Sequence, residues 1–76
     1  MTLGSRIRAA RKAKGLTQEE LAPDCGVTLQ MISRYELGKA VPSTGTLSRI
    51  AARFGVTVDF LLNGPDEPQP DEGRAA

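Results

Sequence analysis

Four times between residues 16 and 61 the chain repeats one short pattern: an apolar residue, then Ser or Thr, then a second apolar residue five positions after the first. The copies are Leu16-Thr17 with Leu21, Val27-Thr28 with Ile32, Pro42-Ser43 with Leu47, and Val56-Thr57 with Leu61. A hydroxyl in that place accepts a hydrogen bond from an unpaired amide of a helix's first turn, and the flanking apolar pair closes over it as a staple. Each copy therefore predicts a helix start, and Glu20 completes a capping box with Thr17. A further helix is expected over residues 3–14, with Leu3, Ile7 and Ala10 on one face and Gly15 as its stop. The others are expected from 18, over 29–37 before Gly38, over 44–54 before Gly55, and over 58–62 before Asn63-Gly64. Leu47, Ile50, Ala51 and Phe54 form a core stripe on the fourth. No run alternates long enough for a strand, so the fold class is all-α with five helices. Two residues sit awkwardly: Pro23 inside the second helix predicts a kink or a short helix, and Gly45 weakens the first turn of the fourth.

The segment from Pro65 onward differs in kind. It holds three prolines, four acids and no large apolar residue, too little to offset the entropy of ordering, and is expected to be a disordered acidic tail over 65–76. Residues 1–64 would form one domain around one modest core. The net charge of +1 conceals this division: residues 1–64 carry nine Lys/Arg and five Asp/Glu, while the tail carries one Arg and four acids. The first fourteen residues hold Arg6, Arg8, Arg11, Lys12 and Lys14 without an acid, an excess suited to phosphate. Cys25 is the single cysteine; it falls at an apolar-periodic position and reads as core, which leaves no internal disulfide. With no apolar span or signal core, a cytoplasmic protein without membrane contact is expected.

Residues 18–37 carry the functional signal. Two short helices crossing about a tight turn need a small residue at the crossing, a glycine in the turn and apolar residues on the inner face. Ala22, Gly26, and Leu21, Cys25, Val27, Ile32 and Tyr35 fill those places in order. With Ile32 and Tyr35 turned inward, Gln30, Arg34 and Leu37 point outward, and Leu29 and Ser33 flank them. Gln30 suits a bidentate contact to adenine and Arg34 one to guanine, or else to phosphate. These four, Gln30, Arg34, Leu29 and Ser33, are the base-reading candidates. Gln18 opens the second helix, whose amides and dipole favour a phosphate.

The chain resembles the lambda-repressor-like family, also called the Cro/repressor or xenobiotic-response-element type. The resemblance rests on Leu3-Gly-Ser-Arg-Ile-Arg, Arg11-Lys-Ala-Lys-Gly-Leu-Thr-Gln-Glu-Glu-Leu-Ala, Gly26-Val-Thr, Ile32-Ser-Arg-Tyr-Glu-Leu-Gly-Lys, Pro42-Ser, Thr46-Leu, Ile50-Ala and Gly55-Val-Thr-Val-Asp-Phe-Leu-Leu-Asn-Gly, in that order. It implies a five-helix domain whose third helix reads double-stranded DNA, usually as a homodimer. It also implies backbone contacts from Gln18, Arg11, Thr28, Leu37 and Lys39, and an ion pair between Arg11 and Glu36 that would orient Arg11 toward phosphate. Leu37 departs from the family's usual Asn; a leucine could instead meet a thymine methyl. Leu29 is likewise apolar where some relatives carry a polar reader.

With Phe60 and Leu61 allotted to the core, Val58 and Leu62 remain on one face of the fifth helix, where the resemblance places the dimer contact. The function expected is therefore that of a transcriptional regulator, a repressor in first reading, on an inverted-repeat operator. An antitoxin or coactivator-type interaction module on the same fold is the alternative, with a toxin or polymerase as protein partner. Without His, paired carboxylates in a cleft or a phosphate-binding Gly loop, no catalytic residue, metal site or cofactor is expected.

Overall fold

The computed structural model describes residues 2–64; the tail expected over 65–76 lies outside them. Five helices occur among the described residues, and no strand: α1 (Leu3–Ala13), α2 (Gln18–Cys25), α3 (Leu29–Glu36), α4 (Thr44–Phe54) and α5 (Val58–Asn63). Every one begins on a hydroxyl cap, supplied by Thr2, Thr17, Thr28, Ser43 and Thr57. Thr17 and Glu20 form the expected capping box, with the Thr17 amide donating to Glu20 Oε1 at 2.9 Å and the Glu20 amide to Thr17 Oγ1 at 3.0 Å. Thr2 and Ser5 build a second box at the start of α1.

The helix ends explain why the repeated pattern packs so economically. After α2, the Gly26 amide donates to Pro23 O and the Val27 amide to Ala22 O, the double bond of a Schellman end, with Gly26 at φ 71° where only glycine is unstrained. The same pair of bonds closes α1 through Gly15 and Leu16, and α4 through Gly55 and Val56. Leu16, Val27 and Val56 thus each end one helix and staple the next, and all three pack against the core. The chain is thereby forced to turn sharply in four residues between α1 and α2 and in three between α2 and α3 and between α4 and α5, whereas seven residues join α3 to α4.

Pro23 stands inside α2, and of the two outcomes expected the short helix is the one found: α2 has eight residues and ends two positions later. The core collects Ile7, Leu21, Ala22, Cys25, Ile32, Tyr35, Leu47, Ile50, Ala51, Phe54 and Leu61, one face from every helix. The expectation for Phe60 on α5 holds in part, since it packs against the core without being fully enclosed. Leu61 is fully buried, but Phe60 is half-buried and lines an open groove of about 520 Å³ with Val56, Thr57, Asp59 and Gly64. A six-residue helix turns one stripe fully inward, and Phe60 lies beside that stripe.

Candidate nucleic-acid interface

Helix α3 is held by Ile32, fully buried, and Tyr35, 6% exposed. That anchoring turns Gln30, Arg34 and Leu37 to solvent and leaves Leu29 and Ser33 half-buried on the flank, as the periodicity predicts. Thr28 caps the helix, its Oγ1 accepting from the Met31 amide at 3.2 Å. Arg34 is held only by a long 3.4 Å bond from Nη2 to the Lys39 carbonyl, a contact weak enough to exchange for another acceptor. Lys39 itself is exposed in the loop that follows.

A buried bracket fixes this helix against α1 and α2. Arg11 Nε donates to Glu36 Oε2 at 2.7 Å and Nη2 to Oε1 at 3.1 Å, while Nη1 donates to the Leu16 carbonyl at 2.7 Å. Glu36 Oε1 also accepts from Gln18 Nε2 at 3.0 Å. The expected ion pair is therefore present, but it faces inward, with the two side chains only 10% and 3% exposed. Three of the five guanidinium N–H groups are committed to protein, so Arg11 acts first as a brace that positions Gln18 and α3. The Glu36 hydrogen bond raises the Arg11 pKa, against the effect of burial, and keeps the guanidinium charged.

The cations of α1 do not form one phosphate-directed cluster. Arg6 donates from Nε to Leu61 O at 2.7 Å and from Nη2 to Leu62 O at 2.6 Å, placing a positive charge on the C-terminal carbonyls of α5, where the helix dipole favours it. Arg6 and Arg11 are thus engaged within the fold, whereas Arg8, Lys12 and Lys14 are exposed. Away from α3, Arg53 pairs with Asp24 at 2.7 Å, with both side chains about two-fifths exposed. Burial pushes the Cys25 thiol pKa up, as does Asp24, while Arg49 and Arg53 oppose this; with Cys25 1% exposed, its expected core role holds.

On α5 the two expected interface residues are placed unequally. Leu62 is 47% exposed, whereas Val58 is half-buried against the core, and the groove beside Phe60 adds apolar surface that the sequence reading had not assigned. A second residue it missed is Gly4, where a Cβ would overlap the carbonyl oxygens of Tyr35 and Glu36. Only a bare backbone lets α1 lie so close on the last turn of α3. Its one local signal is a glycine in the first turn of an otherwise good helix.

A helix-turn-helix family profile matches residues 7–61. Among known proteins, the chain is 41% identical over 61 residues to the SPbeta prophage-derived HTH-type transcriptional regulator YonR of Bacillus subtilis, covering 80% of this chain and 56% of that one. It is 37% identical over 67 residues to the HTH-type transcriptional regulator ImmR of the same species, covering 88% and 52%. The chain thus spans about half the length of these two relatives. Among solved structures, the P22 c2 repressor in complex with a synthetic operator superposes with a TM-score of 0.82 at 31% identity, covering 86% of this chain and 98% of that one. SinR in complex with DNA superposes at 0.74 and 34% identity, covering 79% and 97%.

Proposed function

Because the chain belongs to the lambda-repressor-like helix-turn-helix family, we propose that it is a sequence-specific double-stranded DNA-binding regulator acting as a homodimer on an inverted repeat. The observation that carries this reading is the rigidly braced α3, which presents Gln30 and Arg34 to solvent beside the N-terminus of α2. Gln30 and Arg34 would read bases in the major groove, flanked by Leu29 and Ser33. Gln18, Thr28, Leu37 and Lys39 would hold the backbone, with Arg11 supporting Gln18 through Glu36. Repression is the mode proposed, in the cytoplasm, by blocking a promoter; no helix among the described residues is long and apolar enough to cross a membrane.

The dimer contact would use Leu62, the exposed edge of Val58 and the groove beside Phe60. Two-fold pairing there would set the recognition helices about 34 Å apart, one DNA turn. A protein partner is the alternative reading, since one structural neighbour is seen in the SinR–SinI complex. The test is selection of duplexes from genomic fragments, followed by titration against random competitor. Arg34→Ala is expected to lose about 1–3 kcal/mol of discrimination at one base step, and Leu62→Asp to abolish cooperative binding to two half-sites while single-site contact stays. A parent protein that binds all duplexes alike would overturn the sequence-specific reading, and unchanged cooperativity in Leu62→Asp would move the interface elsewhere.

A further inference from the structure

Leu29 is out of place for a residue that merely completes a helix. It is the first residue of α3, directly after the Thr28 cap, and although half-buried it is not among the apolar side chains packed on the core. Its neighbours in the turn differ: Met31 packs on the core, Ile32 is fully buried and Gln30 is exposed. Leu29, Ser33 and Glu36 follow one another at spacings of four and three, and so form one stripe. The last member of that stripe holds Gln18 at 3.0 Å. An apolar side chain therefore stands at the N-terminal end of a flank of α3 whose other end meets the start of α2, outside the set of apolar side chains that pack on the core.

We propose that Leu29 reads the C5-methyl group of a pyrimidine in the major groove, supplied by a thymine at or next to the base pair contacted by Gln30. The inference rests on the DNA-binding reading and adds the chemistry recognised. The first turn of a recognition helix is the part that meets base edges. The only apolar group the four bases display in the major groove is the thymine methyl, so a leucine there selects for that group alone. Gln30 beside it supplies the polar half, taking the N6 and N7 of adenine. Adjacent residues would thus select an A·T-containing step by an amide and a methyl contact together. A 5-methylcytosine carries the same group and would be met in the same way.

The test uses the full chain and synthetic duplexes of a site selected from a random library, with each thymine of a half-site replaced in turn by deoxyuridine. One position is expected to weaken binding by about fourfold, the effect of one buried methyl. At that position 5-methylcytosine should bind more tightly than cytosine by a similar factor. Leu29→Ala should bring both ratios to one, while Leu37→Ala leaves them unchanged. No uracil effect at any position of the parent's site would overturn the proposal without touching the DNA-binding reading, and needs no variant to fold. A methyl effect that survives in Leu29→Ala, or vanishes only in Leu37→Ala, would overturn it as well. Failure to retain any duplex would instead sink the DNA-binding reading, and this inference with it.

Discussion

Replacing Glu36 by Gln separates the effect of burial on an ion pair from that of geometry, because the fold supplies a control at the same distance. Arg11–Glu36 and Arg53–Asp24 both close at 2.7 Å, but their side chains are 10% and 3% exposed in the first pair and 40% and 44% in the second. At the exposed pair water already solvates both charges, and such pairs contribute about 0–1 kcal/mol. Asp24→Asn should fall in that range. Between α1 and α3 neither charge keeps much water, so Glu36→Gln leaves the Arg11 guanidinium facing a neutral amide. Neutralising one partner of a buried pair costs about 3–5 kcal/mol. Here the bond from Nη1 to Leu16 O survives and the amide oxygen still accepts one bond, which brings the expectation to about 2–4 kcal/mol. At about 4–8 °C per kcal/mol for a domain of this size, the thermal midpoint should fall by roughly 8–32 °C, against less than roughly 8 °C for Asp24→Asn. Circular dichroism during urea and thermal unfolding measures both, at low and at high salt. Salt should shrink the exposed pair's contribution and leave the buried one nearly unchanged. Equal losses for the two variants would refute the reasoning.

Three further perturbations test the fold at single points. Pro23→Ala is expected to raise the thermal midpoint, since an alanine amide can donate to the Glu19 carbonyl that proline leaves without its helical partner; an unchanged or lower midpoint would show that this exposed turn carries no such penalty. Gly4→Ala adds a better helix former, worth about 1 kcal/mol, yet its methyl would overlap the Tyr35 and Glu36 carbonyls, so a net loss of about 1–3 kcal/mol in chemical denaturation is expected. A gain would mean that α1 can slide freely on α3. For Cys25 the raised pKa favours the neutral thiol in the fold; its contribution is complete below the ordinary thiol pKa and is lost as pH rises through the raised value. Alkylation at pH 8 should therefore run more than roughly tenfold slower in the native chain than in urea, and equal rates would place Cys25 outside the core.

Helix number, helix starts and the outward face of α3 were legible in the residues alone. The physical reason is locality: a hydroxyl cap acts three residues ahead, a staple spans five, and a glycine end closes within its own turn. The start of each helix was set by such signals, and the ends fell within one residue of those expected because Gly15, Gly38, Gly55 and Gly64 stand where the turns require them. Periodicity then carried the reading one level further, since burying Ile32 and Tyr35 leaves Gln30 and Arg34 no direction but outward. What the tertiary structure decided lies across helices. The partners of Arg53 and Arg6 are 29 and 55 residues distant, and no local pattern distinguishes a guanidinium that will meet a carboxylate or a helix end from one that will meet solvent; that of Arg11, 25 residues away, was foreseen through the family resemblance, but its inward direction was not. The close approach at Gly4 and the incomplete burial of Phe60 belong to the same class. They depend on how far and at what angle two helices pack, which is settled by the fit of whole faces rather than by any residue's immediate neighbours.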